Sequence, residues 1–195
     1  MTRSISEVAK ALRYKLNQAK FFLDRLGKEI DDERATGCHF SACIGALRSV
    51  PAYIRAALEE KGKLPKSKCE GDAAWGVLHR KLCKKMSEDE RKVGKWLREV
   101  ANTDIHRSPA ELLKEIYGGY FPKDYFPPSY FPADYFPSGG VRFSAANPRS
   151  GESRDVIGAC QSGISYATAL IDCFVQLYSD SDTALESGVQ TEPEA

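Results

Sequence analysis

Apolar side chains recur at three- and four-residue steps along about residues 5–33, and this spacing constrains the fold more than any other feature of the sequence. Such spacing places the apolar residues on one face of a helix. Ser4 and Glu7 form a capping box at its start, with a hydroxyl at the N-cap and a carboxylate three residues on. We therefore expect one long amphipathic helix that ends where Thr36-Gly37 interrupts the pattern.

The rest of the chain shows the same helical spacing, together with further capping signals. Two long helices with a short connection predict an antiparallel pair. The sequence therefore predicts an all-α fold, an antiparallel helical bundle with an irregular aromatic and Pro-rich insert before the C-terminal helix. The further helices are expected over about residues 38–60 (kinked by Pro51), 73–85 (capped by Asp72), 88–106 (opened by Ser87), a short stretch after Ser108 and 153–179, with a polar loop at 141–151.

The 195 residues, of which 42% are hydrophobic and 28% charged, are typical of one domain with a packed core. We expect that domain at 1–179, with the insert at 118–140, and a disordered acidic tail at 180–195.

No run of about 18 apolar residues and no signal peptide is found, so we expect a cytoplasmic protein without membrane association. The six cysteines lie mostly among apolar residues and are interpreted as reduced core side chains.

The positive charge of the chain is concentrated in one stretch. The stretch 61–95 carries eleven Lys and Arg against five Asp and Glu, which indicates either an anion-binding surface or an ordinary solvated one. Cys69, His79 and Cys83 lie near one another, but a structural zinc site takes four ligands and no fourth is evident. No phosphate loop or metalloprotease motif is present, so neither a metal nor a cofactor is predicted.

The predicted helix at 88–106 carries Arg98, Asn102 and His106 at i, i+4 and i+8. This spacing places the three side chains on roughly one face, one turn apart. No other place in the chain aligns three residue types suited to acid–base and phosphate chemistry. A purely structural interpretation is also open, because His106 and Arg107 are cations at a helix C-terminus, where the dipole favours them by about 0.3–1 kcal/mol.

Two segments resemble the HEPN superfamily, helical bundles whose active members are metal-independent ribonucleases. Phe40-Ser-Ala-Cys-Ile-Gly-Ala-Leu-Arg-Ser-Val50 is similar to a small-residue segment of bacterial HEPN-like proteins. Leu97-Arg-Glu-Val-Ala-Asn-Thr-Asp-Ile-His-Arg107 is similar to the family's motif of Arg, a polar residue and a later His. The motif is degenerate, since Arg98 stands one residue further from His106 than the family pattern allows, and Ala101 precedes Asn102 where active members have Arg.

The resemblance implies a bundle over about residues 5–107 plus the final helix, usually paired with a second copy. It also implies that His106 takes part in acid–base chemistry on the RNA 2′-hydroxyl, beside Asn102. Arg98, or Arg107 beyond the helix end, would then hold the phosphate, because a planar guanidinium can pair with two phosphate oxygens.

A Tyr-Phe-Pro pentapeptide repeat fills 120–139. Pro at every fifth position excludes a regular helix and a central strand, so extended steps joined by turns are expected. The repeat is interpreted as a strap over the bundle, as a protein-binding or oligomer-forming ribbon, or as a surface for stacking bases; Lys123 is its only cation, which disfavours the last. Similar repeats occur in phage-associated proteins. The candidate binding residues are Tyr120, Phe121, Tyr125, Phe126, Tyr130, Phe131, Tyr135 and Phe136.

We therefore expect a HEPN-like helical bundle that acts by binding RNA or protein as a homodimer, without catalysis. One alternative is a metal-independent ribonuclease, of the toxin or phage-defence type, that uses His106, Asn102 and Arg98. The other is a phage-associated interaction module that works through the Tyr-Phe-Pro repeat.

Overall fold

The computed structural model describes residues 4–65, 67–84, 86–106, 112–117, 140–147 and 149–186, with the backbone alone for 103–106, 116–117, 140 and 179–186. The predicted helical bundle is confirmed, with a small sheet added to it. The elements in chain order are α1 (Ile5–Lys28), α2 (Glu33–Glu60), α3 (Lys68–Cys83), α4 (Glu88–His106), β1 (Leu112–Tyr117), β2 (Gly140–Ala146), β3 (Ser153–Asp155) and α5 (Val156–Glu186).

Four of the helices form the bundle around one hydrophobic core. α1 packs against α2 and α5, α4 packs against the same two helices, and α2 and α5 also contact each other. α1 and α4 therefore occupy opposite corners, while α3 lies against α5. The largest fully buried side chains are Trp96, Phe40, Phe143 and Phe174. Within the described ranges, no helix combines the length and the apolar character that a membrane crossing requires.

The predicted boundary between the first two helices is wrong. α1 ends at Lys28 and α2 begins at Glu33, so Thr36 and Gly37 lie inside α2. Asp32 is the N-cap of α2, and its carboxylate accepts a hydrogen bond from the Ala35 amide at 3.0 Å. The Thr36 hydroxyl donates to the carbonyls of Glu29 and Ile30, which closes the turn. The capping side chain of Asp32 thus sets the helix start, in place of the break expected at Gly37.

The predicted start of α3 is also wrong. The helix begins at Lys68, after Ser67 at the N-cap position, so Asp72 lies within it and caps nothing. The Asp72 carboxylate instead accepts a hydrogen bond from Arg55 of α2 at 2.5 Å. A Cβ at Gly71 would lie 2.6 Å from the Pro65 carbonyl oxygen, so the chain before α3 packs directly on the helix backbone.

The largest correction is a three-stranded antiparallel sheet in the order β1-β2-β3. β1 replaces the short helix expected after Ser108, and β2 replaces much of the polar loop expected at 141–151. Phe143 and Ala145 of β2 are buried in the bundle core. Arg142, which precedes Phe143, is exposed on the other face of the strand. The sheet is therefore part of the core.

The predicted capping boxes and the position of Pro51 are confirmed, whereas the predicted end of the last helix and the burial of two cysteines are wrong. Both predicted capping boxes are present at Ser4 and Ser87, and Pro51 lies inside α2. The C-terminal helix continues to Glu186, beyond its predicted end near 179, and the rest of the predicted acidic tail is outside the described residues. Of the six free cysteines, Cys43, Cys83 and Cys160 are buried, but Cys38 and Cys69 are exposed, so those two are not core residues.

Candidate functional site

The structure places Arg98, Asn102 and His106 on α4 and describes the side chains of the first two. The side chain of Arg98 is exposed and that of Asn102 is half-buried. His106 is the last residue of α4, one turn beyond Asn102, and its side chain lies outside the described residues. Arg107 and the predicted aromatic binding residues of the repeat also lie outside them, so the structure brings together only the first two members of the predicted set.

α4 itself is positioned by strong local and tertiary signals. Ser87 and Glu90 cap its start reciprocally: the Glu90 amide donates to the Ser87 hydroxyl at 3.2 Å, and the Ser87 amide donates to the Glu90 carboxylate at 2.8 Å. Its first turn is acidic, which the helix dipole favours. The residues that bury α4 in the core are Val93, Trp96, Leu97, Val100 and Ala101.

The opposite face of α4 is cationic. Arg91, Lys95 and Arg98 are exposed and follow one another at i, i+4 and i+7, and Asn102 continues the row at i+11. These four residues, here named the α4 stripe, share one face of the helix over three turns. The stripe presents three positive charges to solvent on a helix whose other face is fixed, and Glu88, one turn before Arg91, forms an ion pair with Lys92.

A polar cluster lies beside the stripe, between α3 and α5. The ring nitrogen Nε2 of His79 is 2.9 Å from the Tyr166 hydroxyl, and the tautomer of His79 decides which of the two donates. The Cys83 sulfur is 3.7 Å from Nε2 and 3.8 Å from Nδ1. The Trp75 ring covers another side of the imidazole, with ring centroids 5.3 Å apart. His79 is thus held by contacts from its own helix and from α5.

Gly94 joins this cluster to α4. A Cβ on Gly94 would lie 2.5 Å from the Tyr166 ring, so the ring packs directly on the α4 backbone. Arg98 follows one turn later, and helical side chains lean toward the N-terminus of their helix. We therefore expect the Arg98 side chain to lean over the turn that contains Gly94, toward Tyr166 and its partner His79.

The pKa shifts of His79 and Tyr166 are consistent with an Arg98 side chain close to both groups. Burial, and then the positive charge of Arg98, lower the pKa of His79 from its ordinary value of 6.5. Burial also raises the pKa of Tyr166, and Arg98 partly opposes that rise. The imidazole is therefore neutral at pH 7, and a cation lies close enough to disfavour its protonation.

Cys83 is not set up as a nucleophile. Burial, followed by the nearby Cys173, raises the pKa of the Cys83 thiol, while Arg91 opposes the rise. A reactive cysteine requires the opposite shift, because the thiolate is the attacking species. The thiol is also nearly equidistant from both ring nitrogens of His79, at 3.7 and 3.8 Å. The cluster thus holds a protonated thiol beside a neutral imidazole.

Glu99 has a structural role that the sequence interpretation missed. Its carboxylate accepts a hydrogen bond from the Asn147 side-chain amide at 2.7 Å. The Asn147 side-chain oxygen in turn accepts from the amides of Arg149 and Ser150, and the indole N–H of Trp96 donates to the Glu152 carbonyl. The turn after β2 is therefore fastened to α4. The Asn-Pro-Arg-Ser-Gly composition predicts a turn here, but nothing in it identifies Glu99 as its partner.

The three residues considered as possible metal ligands, Cys69, His79 and Cys83, are not grouped together. His79 and Cys83 do lie together, but Cys69 is exposed at the start of α3. Among the described residues, no three His, Cys, Asp or Glu side chains are grouped so that they could hold a metal ion.

Comparisons with known proteins add no relative to this picture. The chain matches no family model, no curated protein and no solved structure. The resemblance to HEPN proteins therefore stays a prediction.

Proposed function

We propose that the chain is a HEPN-like helical bundle that binds RNA through the α4 stripe, as a homodimer and without cleaving it. The observation that carries the proposal is the exposed row of Arg91, Lys95 and Arg98, continued by Asn102. Phosphate neutralisation by Lys and Arg supplies most of the free energy of non-specific binding to nucleic acid. A row of cations along one helix face is suited to following a charged strand.

The fixed position of the stripe strengthens the argument. Successive turns of a helix rise 5.4 Å, so the three cations are spaced along a line rather than clustered at one point. The guanidinium groups of Arg91 and Arg98 can each pair with two phosphate oxygens, and the Asn102 amide can both donate and accept hydrogen bonds. Because the buried face of α4 is anchored in the core, little backbone ordering is required when a strand binds.

Binding without cleavage is favoured by the departures from the family motif at Arg98 and Ala101. Arg98 acts electrostatically on the neutral His79 imidazole and on Tyr166, whose pKa is raised, and these two groups are already hydrogen-bonded to each other. These groups support a binding surface. A role for His106 in catalysis belongs to the alternative, a ribonuclease of the toxin or phage-defence type.

Neutralising the stripe should weaken RNA binding strongly. We expect the triple variant Arg91→Gln, Lys95→Gln and Arg98→Gln to bind a single-stranded RNA on the order of tenfold more weakly or worse near 100 mM salt. The slope of log K against log salt should become shallower by about 2, since each lost contact to a single strand contributes about 0.7. Fluorescence anisotropy with a labelled oligonucleotide over a salt series measures both quantities.

The matched control removes three exposed cations from the opposite corner of the bundle: Lys10→Gln, Arg13→Gln and Lys20→Gln on α1. It changes net charge equally and should leave the salt slope nearly unchanged. Equal losses in both triple variants would show that binding depends on overall charge and would count against the stripe. RNA recovered after incubation in EDTA should be intact, whereas cleavage that is lost in His106→Ala would support the ribonuclease instead.

One further observation favours a second candidate function, interaction through the Tyr-Phe-Pro repeat. β1 and β2 are paired to the residues that flank the segment 118–139, with Tyr117 opposite Gly140. The repeat therefore leaves the sheet and returns to it at one paired position. This attachment is compatible with a segment that serves a partner or a second copy, because both of its ends are fixed by the β1–β2 pairing rather than by the repeat itself.

Deleting the repeat should leave the bundle folded. Replacing 118–139 by Asn-Gly keeps the Tyr117–Gly140 pair and supplies a two-residue turn that antiparallel strands accept. The shorter connection lowers the loop-closure cost by about 2 kcal/mol, so the melting temperature should be unchanged or higher. If the repeat is an interface, light scattering will show a smaller oligomer; if the variant melts or loses helical circular dichroism, the repeat is a strap that the bundle needs.

A further inference from the structure

We propose that Arg98 binds a phosphodiester group and that this binding is coupled to proton uptake by His79. The inference rests on the proposed function, because it names a contact and a proton-linked partner within the same surface. It assigns to Arg98 a phosphate-binding role, and to His79 the role of a positioning residue that responds to the charge at Arg98.

The geometry that supports the coupling is local and specific. Gly94 lets the Tyr166 ring lie against the α4 backbone, and the Tyr166 hydroxyl is 2.9 Å from His79. Arg98 lies one turn beyond Gly94 on the same helix and is exposed, and its positive charge acts on both His79 and Tyr166. An anion that reaches Arg98 from solvent is therefore brought close to the imidazole without entering the core.

The charged and titratable groups around His79 come from three helices. α4 contributes Arg98, α5 contributes the neutral Tyr166, and α3 contributes the protonated Cys83. Arg91 of α4 and Cys173 of α5 act electrostatically on Cys83. Among the described residues, no carboxylate contributes to the His79 shift. Protonated His79 and Arg98 therefore form a pair of like charges that nothing within the described cluster neutralises.

The sign of the coupling follows from this pair. A phosphodiester carries one fixed negative charge, so its binding at Arg98 offsets the repulsion that lowers the His79 pKa. The pKa of His79 should therefore rise when the anion binds. By linkage, the affinity for the anion must increase as the pH falls through the His79 titration.

The coupling can be measured by NMR titration of the histidine Cε1–H signals with two probes, an eight-nucleotide oligouridylate and dimethyl phosphate. The chain has three histidines, and the His79 signal is assigned by its absence in His79→Gln. Either probe should raise the His79 pKa in the wild-type protein. In Arg98→Gln the pKa without a probe should already be higher than in wild type, and neither probe should raise it further.

The pH profile of oligouridylate affinity provides a second readout. As the pH falls from 7.5 to 5.5 the wild-type affinity should increase more than that of His79→Gln, by up to about fivefold, at the lower end of ordinary coupling energies. Lys20→Gln on α1 serves as the control and should behave like wild type in both measurements.

The two proposals fail differently. If the oligouridylate binds but neither probe moves the His79 pKa, the coupling is wrong and RNA binding stands. If dimethyl phosphate raises the pKa while the oligouridylate does not bind, the phosphate site stands and RNA binding is wrong. If neither probe binds nor shifts the signal, both proposals are overturned.

Discussion

Trp96→Ala will lower the free energy of unfolding by about 3–5 kcal/mol, the usual cost of truncating a fully buried Trp. Trp96 is 1% exposed at the centre of the α4 core face. Its indole N–H donates to the Glu152 carbonyl at 3.2 Å, and the Arg154 guanidinium lies 5.9 Å from the ring centroid. The substitution removes the largest buried side chain and also the hydrogen bond from Trp96 to Glu152, while the bond between Glu99 and Asn147 remains. Urea unfolding followed by circular dichroism measures the change.

The neighbouring residue provides the control for this prediction. Lys95 is exposed, so Lys95→Ala should change the free energy of unfolding by no more than about 0.5 kcal/mol. A cost below about 1 kcal/mol for Trp96→Ala would show that α4 is not packed in the core. In that case the α4 stripe would have no fixed support, and the functional proposal would lose its structural basis.

Phe143→Ala should be nearly as costly, with an expected loss of about 3–5 kcal/mol. Phe143 is 0% exposed, although it belongs to the small sheet rather than to a helix. The side chain extends from β2 into the bundle core, so its removal leaves a cavity between the sheet and the helices. Thermal and urea unfolding should both report the loss in a single transition, because the sheet and the bundle share one core.

Arg142→Ala tests the other face of the same strand. The Arg142 side chain is 55% exposed, and its Nε atom lies 3.5 Å from the Asp155 carboxylate. An exposed ion pair of this kind contributes about 0–1 kcal/mol, so the variant should remain close to wild type. Similar costs for Arg142→Ala and Phe143→Ala would contradict the assignment of Phe143 to the core.

The helices could be predicted because their signals are local. Apolar spacing and the Ser4 and Ser87 capping boxes depend on residues within a few positions of one another, and the structure confirms both boxes. The errors at the helix ends arose where two local signals competed. Asp32 prevailed over Gly37 as the start of α2, because a capping carboxylate satisfies backbone amides that a glycine leaves free.

The sheet could be predicted only in part. Leu112-Leu-Lys-Glu-Ile-Tyr117 contains good helix formers, and its strand conformation depends on pairing with β2, which is distant in sequence. β2 itself carried a readable signal, since Val141, Phe143 and Ala145 alternate with Arg142 and Ser144. Strict alternation is the pattern of a half-buried strand, and the polar residues that follow it obscured that pattern.

The candidate site also contains one part that the sequence predicts and one part that it does not. Arg98 and Asn102 share a face because of helical spacing, which is readable from the sequence. The contact between His79 and Tyr166 joins residues 87 positions apart, and no local pattern indicates it. Gly94 was the one clue, since a glycine inside an apolar helix points to close packing, although it could not name Tyr166 as the neighbour.

The pairing of Tyr117 with Gly140 has a consequence for how this chain can vary. Pentapeptide units can be gained or lost between these two residues without changing the distance that the connection must span. Each doubling of such a connection costs only about 0.6 kcal/mol in closure entropy. Copy number is therefore nearly free of any penalty on folding, so related chains can differ in the number of units while the helices keep the same arrangement.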